Sequence, residues 1–457
     1  MLLLGIDLGT SSVKVSVVDA KTQHCVATIQ YPESEAEIIS VKPGWAEQSP
    51  EIWWQYTICA ILKLNSTKKY PPKNISAIGI AYQMHGLVLV DKQQKILRHS
   101  IIWCDNRSVK MGEEAFNNIG QETCSTILLN SPGNFTASKL AWVKINEPKI
   151  YNQIDKMLLP GDFISMKLTG EISTTSSALS ECIMWDFKKD ELSKDVTNYF
   201  GFDKNIIPEL KPVFSSHGNL LSTVAKQLEL KANIPVTYKA GDQLNNALSL
   251  NALSPGDVVA SAGTSGVIYA VSDKLVTDKF SRINSFAHVN HKYDKKRIGV
   301  LLCINGAGIM NSWIKKLSAA GKTYNQINTL ASKVKPGCDG LMVLPFGNGA
   351  ERMLYNKNIG AHIYNINLNI HTNAHIYRAT QEGIAFSFRY GLEIMKENKI
   401  KIDTIRAYKA NLFKSDVFIE SFVNATGIPL ELFATDGSAG AAIGAGIGDG
   451  IYTLNSA

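Results

Sequence analysis

Several features that mark specialised protein classes are missing from these 457 residues. Cysteine is sparse. Its seven copies, Cys25, Cys59, Cys104, Cys124, Cys182, Cys303 and Cys338, are dispersed and never spaced as CxxC, which excludes a disulfide framework and a zinc knuckle. A reducing, cytoplasmic setting is therefore expected. Charge of one sign is lacking too: 47 basic residues against 40 acidic give +7, with no run of five or six like charges. Nucleic acid and anionic membrane are accordingly not expected as partners. Long apolar runs are absent, since the stretch Ile298–Ile314 carries Asn305, Asn311 and three glycines and is shorter than the ~18–20 apolar residues of a membrane span. Met1-Leu2-Leu3-Leu4 runs directly into Gly5-Ile6-Asp7 without a basic leader, so no secretory signal is expected. There is no GxxxxGK[ST] phosphate loop.

What is present is an internal repetition. Leu2–Val18 reads LLLGIDLGTSSVKVSVV and Val258–Val271 reads VVASAGTSGVIYAV. In each, an apolar strand enters Gly-Thr-Ser and leaves through a small residue and valine into a second strand. Such a turn offers small side chains and free backbone N–H groups. The second copy follows the turn cluster Leu253-Ser254-Pro255-Gly256-Asp257, so two related domains are expected, 1–245 and 246–457. Strands are read at Ile75–Ala81, Leu87–Val90 and Pro235–Tyr238. Helices are read at 138–144, 162–168, 244–250, 373–396, 415–426 and 438–448. Alternation of the two argues an α/β class.

Asp7 ends a strand where the N–H groups of the Leu8–Ser12 turn converge. It reads either as a turn-capping Asp or as the carboxylate beside Mg²⁺ and phosphate. Asp242 lies between a strand and a helix, so it is an N-cap or a base at the joint between two domains. Met84 and His85 read as a core pair or as pocket groups. Trp103-Cys104-Asp105-Asn106-Arg107 combines an aromatic face with donors and acceptors for adjacent hydroxyls. The row Gly440, Gly444, Gly448 puts three glycines on one helix face and reads as a close-packing surface.

Taken in order, GIDLGTSSVKV, Gln83-Met84-His85-Gly86, Ile102–Arg107, Ala240-Gly241-Asp242 and Ala262–Val267 resemble the FGGY carbohydrate kinases, and the QMHG segment resembles the xylulokinase branch. The resemblance implies two ribonuclease-H-like domains of the actin and sugar-kinase superfold with an active-site cleft between the domains. It implies ATP-dependent phosphorylation of D-xylulose with Asp242 as general base. Met84, His85, Trp103 and Asp105 would contact the sugar, and Asp7 would support Mg²⁺. Thr10, Ser11 and Lys14 would hold phosphates with Gly263, Thr264 and Ser265, while Gly306, Ala410 and Asn411 would border the adenosine. A kinase for another ketose or polyol, or a sugar-binding regulatory protein on this scaffold, are the alternatives, and a homodimer is left open. This sequence departs from the family at Ala407–Asn411, where Tyr408 stands in a usually Gly-rich turn, in the spacing of Leu344–Arg352, and in how soon it stops after the glycine-rich helix.

Overall fold

Around the first Gly-Thr-Ser turn, strand β1 (Leu2–Leu8) folds back antiparallel on β2 (Val13–Asp19), which pairs with β3 (Cys25–Tyr31). Every side chain of β1 is buried except Asp7, which sits directly across from Lys14. Helix α1 (Pro50–Ser66) starts on Pro50, whose fixed φ suits a first turn, and buries Trp53, Ile58, Ile61 and Leu64. Strand β4 (Ile75–Tyr82) runs parallel to β1. Helices α2 (Thr136–Asn146), α3 (Pro160–Thr169) and α4 (Ser176–Glu181) follow. Strand β5 (Val236–Gly241) then joins β4 in parallel and feeds directly into α5 (Asp242–Ser249). The resulting five-stranded sheet has the order β5-β4-β1-β2-β3.

The second Gly-Thr-Ser turn repeats the plan. Strands β6 (Gly256–Ala262), β7 (Gly266–Ser272) and β8 (Ile298–Ile304) form an antiparallel meander. Helix α6 (Gly308–Ser318) follows β8, and α7 (Asn373–Glu397) buries Tyr377, Phe388 and Leu392. Strand β9 (Ile402–Tyr408) pairs in parallel with β6. Helix α8 (Asp416–Thr426) leads to β10 (Leu430–Phe433), parallel to β9. Apart from the edge strand Asn284–Ala287, this sheet reads β10-β9-β6-β7-β8, the same pairing and direction, strand for strand, as the first. The stretch Ile298–Ile314 is thus one strand and the start of a helix. Among the described residues, 1–454, no helix is long and apolar enough to cross a membrane.

Contacts divide the chain into one unit of Met1–Asn251, Phe286–Lys295 and Thr435 onward, and another of Ala252–Ser285 and Lys296–Ala434. The 246–457 half of the sequence reading is therefore shared between the two units. Its last helix, α9 (Gly437–Gly448), lies on the first sheet, capped by the Asp436 side chain, which accepts from Ala439 N–H at 3.0 Å. Glycine makes that contact: a Cβ on Gly5 of β1 would stand 1.8 Å from the Ser438 carbonyl oxygen, and one on Gly79 of β4 would stand 1.9 Å from that of Ala441. On the helix side, a Cβ on Gly444 would meet the Tyr238 ring at 2.5 Å and one on Gly448 the Thr237 carbonyl oxygen at 1.9 Å. The row Gly440, Gly444, Gly448 is a packing face, as its spacing suggested.

Candidate active site

The first unit gathers its polar groups at the carboxyl ends of β1, β4 and β5, where parallel strands leave space for a ligand. Asp7 comes from β1, Gln83, Met84 and His85 from the loop after β4, and Asp242 from the start of α5. Asp7 and Asp242 are both half-buried. The Asp242 carboxyl is pushed up to about 7, mainly by burial and then by the negative charge of Asp7, against the stabilising N–H and side chain of Gln243. Burial likewise pushes Asp7 up to about 6, with Lys14 opposing the shift and Asp436 adding to it. Two carboxylates that resist ionisation side by side are a donor set that a divalent cation relieves. Magnesium fits it, because it takes one or two carboxylates and keeps several waters.

The first turn is tied to this cluster by its hydroxyl. Thr10 Oγ1 donates to Gln83 Oε1 at 3.0 Å and accepts from Trp103 Nε1 at 2.9 Å. Gln48 completes the frame, donating to the Thr10 carbonyl at 2.8 Å and accepting from Gln83 Nε2 at 3.0 Å. Trp103 thus presents a ring that is 51% exposed while its N–H is held. His85 sits at φ 62°, a left-handed conformation, with its ring edge-on to Phe135 at 4.8 Å. Its Nδ1 lies 3.0 Å from the Glu181 carbonyl; a carbonyl only accepts, so Nδ1 carries the hydrogen. The buried Lys139 donates to the His85 carbonyl at 2.8 Å, and burial lowers its pKa to about 8. Met84 packs over Gly241, where a Cβ would meet its Cγ at 2.6 Å.

Asp105 is placed differently from its neighbours in the motif. Fully buried, it accepts from Ala46 N–H at 2.5 Å and from the Arg107 backbone, Nε and Nη2 at 2.9, 2.9 and 2.6 Å. The Arg107 guanidinium lies 3.8 Å over the Trp45 ring and pairs with Glu47 at 2.6 Å. Both Asp105 oxygens are thereby engaged in holding the loop that carries Trp103. Lys139 and Glu181 were not singled out in the sequence, because neither stands in a motif and only packing reveals them.

In the second unit, Gly263, Thr264 and Ser265 form the turn between β6 and β7. The first N–H groups of α6 close onto it, Gly308 donating to the Gly263 carbonyl at 3.0 Å and Ile309 to the Thr264 carbonyl at 2.9 Å. Gly308 is required there, since its Cβ would stand 2.1 Å from the Gly263 oxygen. Gly306 N–H donates to Glu351 Oε1 at 2.6 Å, and a Cβ on Gly306 would stand 2.2 Å from the Pro345 carbonyl oxygen. The Asn411 amide nitrogen lies 3.4 Å from the Cβ position of Gly263, and Ala410 N–H donates to the Tyr408 carbonyl at 2.7 Å. Gly263 and Asn411, 148 positions apart in the chain, thus belong to one sheet end.

Two similar sheets, each with a Gly-Thr-Ser turn, and a carboxylate pair at the strand ends of the first define a phosphotransferase of the sugar-kinase fold. The chain belongs to the FGGY family of carbohydrate kinases: residues 2–249 match the family's N-terminal domain and residues 258–448 its C-terminal domain. It is 30% identical over 408 residues to a xylulose kinase of Bacillus subtilis, covering 88% of this chain and 79% of that one. With a xylulose kinase of Escherichia coli it shares 29% over 442 residues, 97% of this chain and 88% of the other. The crystal structure of a xyloylose kinase from Brucella ovis superposes with a TM-score of 0.87 at 26% identity, over 100% of this chain and 92% of that one. The protein is an ATP-dependent carbohydrate kinase that works with Mg²⁺.

Proposed function

We propose that the substrate is D-xylulose, phosphorylated at its terminal 5-hydroxyl, with Asp242 as general base. The observation that carries this reading is Asp242 itself: a carboxyl near half-ionisation at neutral pH, next to the Met84–His85 loop, is matched to accepting a hydroxyl proton. The similarity to xylulose kinases supports the choice of sugar.

In this reading Asp242 takes the proton of the 5-hydroxyl, the oxygen forms its bond to the γ-phosphorus, and the bond to the leaving ADP oxygen breaks. Little covalent chemistry is asked of the protein, so positioning and charge neutralisation carry the rate. Met84, His85 and the Trp103 ring orient the ketose, and Asp105 serves by fixing the loop that carries Trp103. Asp7 would hold Mg²⁺, which neutralises phosphate charge when bound. Thr10, Ser11 and Lys14 would act on phosphate oxygens. On the second unit, Gly263, Thr264 and Ser265 would do the same, and Gly306, Ala410 and Asn411 would border the adenosine.

ADP release measured with D-xylulose, D-ribulose, glycerol, gluconate and no sugar tests the reading. Release stimulated most by D-xylulose is expected. A higher kcat/KM with another member of the panel reassigns the substrate.

A further inference from the structure

One buried acid beside the sugar-side groups has work left over. Glu181 closes α4, and 1% of its side chain is exposed. Its Oε1 accepts from Tyr82 Oη at 2.7 Å. Its Oε2 is buried and has no hydrogen-bond partner among the described residues, His85 Nδ1 being 3.9 Å away and committed to the Glu181 carbonyl at 3.0 Å. Oε2 lies 3.1 Å from where a Cβ on Gly241 would stand, on the face that Met84 covers with Cγ and Sδ at 2.6 and 3.2 Å. The carboxyl therefore reaches the residue next to Asp242, between the two side chains proposed to meet the ketose.

Its protonation state makes the unpartnered atom informative. Burial, reinforced by the negative charges of Asp242 and Asp162 and opposed by the Tyr82 hydrogen bond, holds the Glu181 carboxyl well above the carboxylate range. With Tyr82 donating to Oε1, the acid proton belongs on Oε2, where it is a buried donor without an acceptor. Such a group carries a desolvation cost that a ligand oxygen removes. Met84 is the cover that can move, because an unbranched thioether side chain repacks readily.

We infer that Glu181 is a specificity-determining residue of the sugar site: its Oε2–H donates to one oxygen of the bound ketose once the Met84 side chain swings off Gly241. The inference rests on the proposed reading that Met84 and His85 face D-xylulose.

Calorimetric binding of D-xylulose to the full-length protein without nucleotide provides the test, repeated with the analogues lacking in turn the 1-, 3- or 4-hydroxyl. For the unmodified protein, one analogue should bind ~2- to 10-fold more weakly than D-xylulose through loss of the Glu181 bond. In Glu181→Leu, D-xylulose itself should weaken by that factor, and the penalty for that one analogue should collapse while the others keep theirs. Glu181→Gln, which retains a donor at the same reach, should restore the original pattern. Glu181→Met replaces Glu181→Leu if the branched side chain prevents folding, with thermal unfolding as the check. Equal weakening for every analogue, or unchanged D-xylulose affinity in Glu181→Leu and Glu181→Met, would overturn the inference and leave the substrate reading standing. Absence of D-xylulose binding to the unmodified protein would overturn both.

Discussion

A carboxylate near half-ionisation at neutral pH is costly to keep in a folded protein, and that cost is measurable. Asp7 and Asp242 rise from 3.8 to about 6 and about 7. Groups whose pKa is raised on folding stabilise the native state fully below the unfolded value, and the contribution is lost as pH rises through 6–7. Asp7→Asn and Asp242→Asn should therefore melt above the unmodified protein at pH 8 and together with it below about pH 4, as thermal unfolding in a pH series would show. Function runs the other way. For Asp242→Asn, kcat should drop by ~10²–10⁴ while sugar affinity is kept, and the acid-side fall of the unmodified enzyme should vanish. Wild-type kcat in Asp242→Asn at saturating ATP and sugar would refute the base assignment. Asp7, Asp242 and His85 were legible in the sequence because each sits in a short motif at a strand end. The engagement of Asp105 by Arg107 and the burial of Glu181 were not, since both depend on what packs around them.

At the level of elements, the two Gly-Thr-Ser hairpins were readable because a turn is local, and the equal strand order of both sheets supports the duplication they suggested. The close seat of α9 on the first sheet is the part most exposed to mutation. Gly79→Ala would set a Cβ 1.9 Å from the Ala441 carbonyl oxygen, so the helix must shift, and a loss of ~1–3 kcal/mol is expected, seen as a lower midpoint in urea unfolding. Unchanged stability would mean that the helix rides more loosely than described. On the second unit, Tyr408 closes β9. If its ring stacks on adenine, Tyr408→Phe should leave ATP affinity unchanged and Tyr408→Gly should lower it, stacking being worth ~1–3 kcal/mol per base in nucleic-acid systems. A gain in ATP affinity for Tyr408→Gly, measured by calorimetry, would show that the ring obstructs the nucleotide instead.

For the whole molecule, the connectivity of the two units matters more than their boundaries. The chain leaves the first unit after Asn251, revisits it at Phe286–Lys295, and returns from Thr435 onward. Nothing local in the sequence marks that return; helical periodicity identifies α9 but not the sheet it covers. A chain ending at Ala434 should lose the near-ultraviolet circular dichroism of the first unit, which holds Trp45, Trp53, Trp54, Trp103, Trp142 and Trp185, and keep only the environment of Trp313. Native tryptophan spectra in that shortened chain would show that α9 is dispensable. The same connectivity sets an order of events at the ribosome. Roughly 430 residues separate the end of β1 from the start of α9, so at ~5–20 residues per second the first sheet waits ~20–90 s for its covering helix. The unit whose first sheet is synthesised first is thus completed last, its glycine-lined face open to chaperones or to aggregation until α9 has emerged.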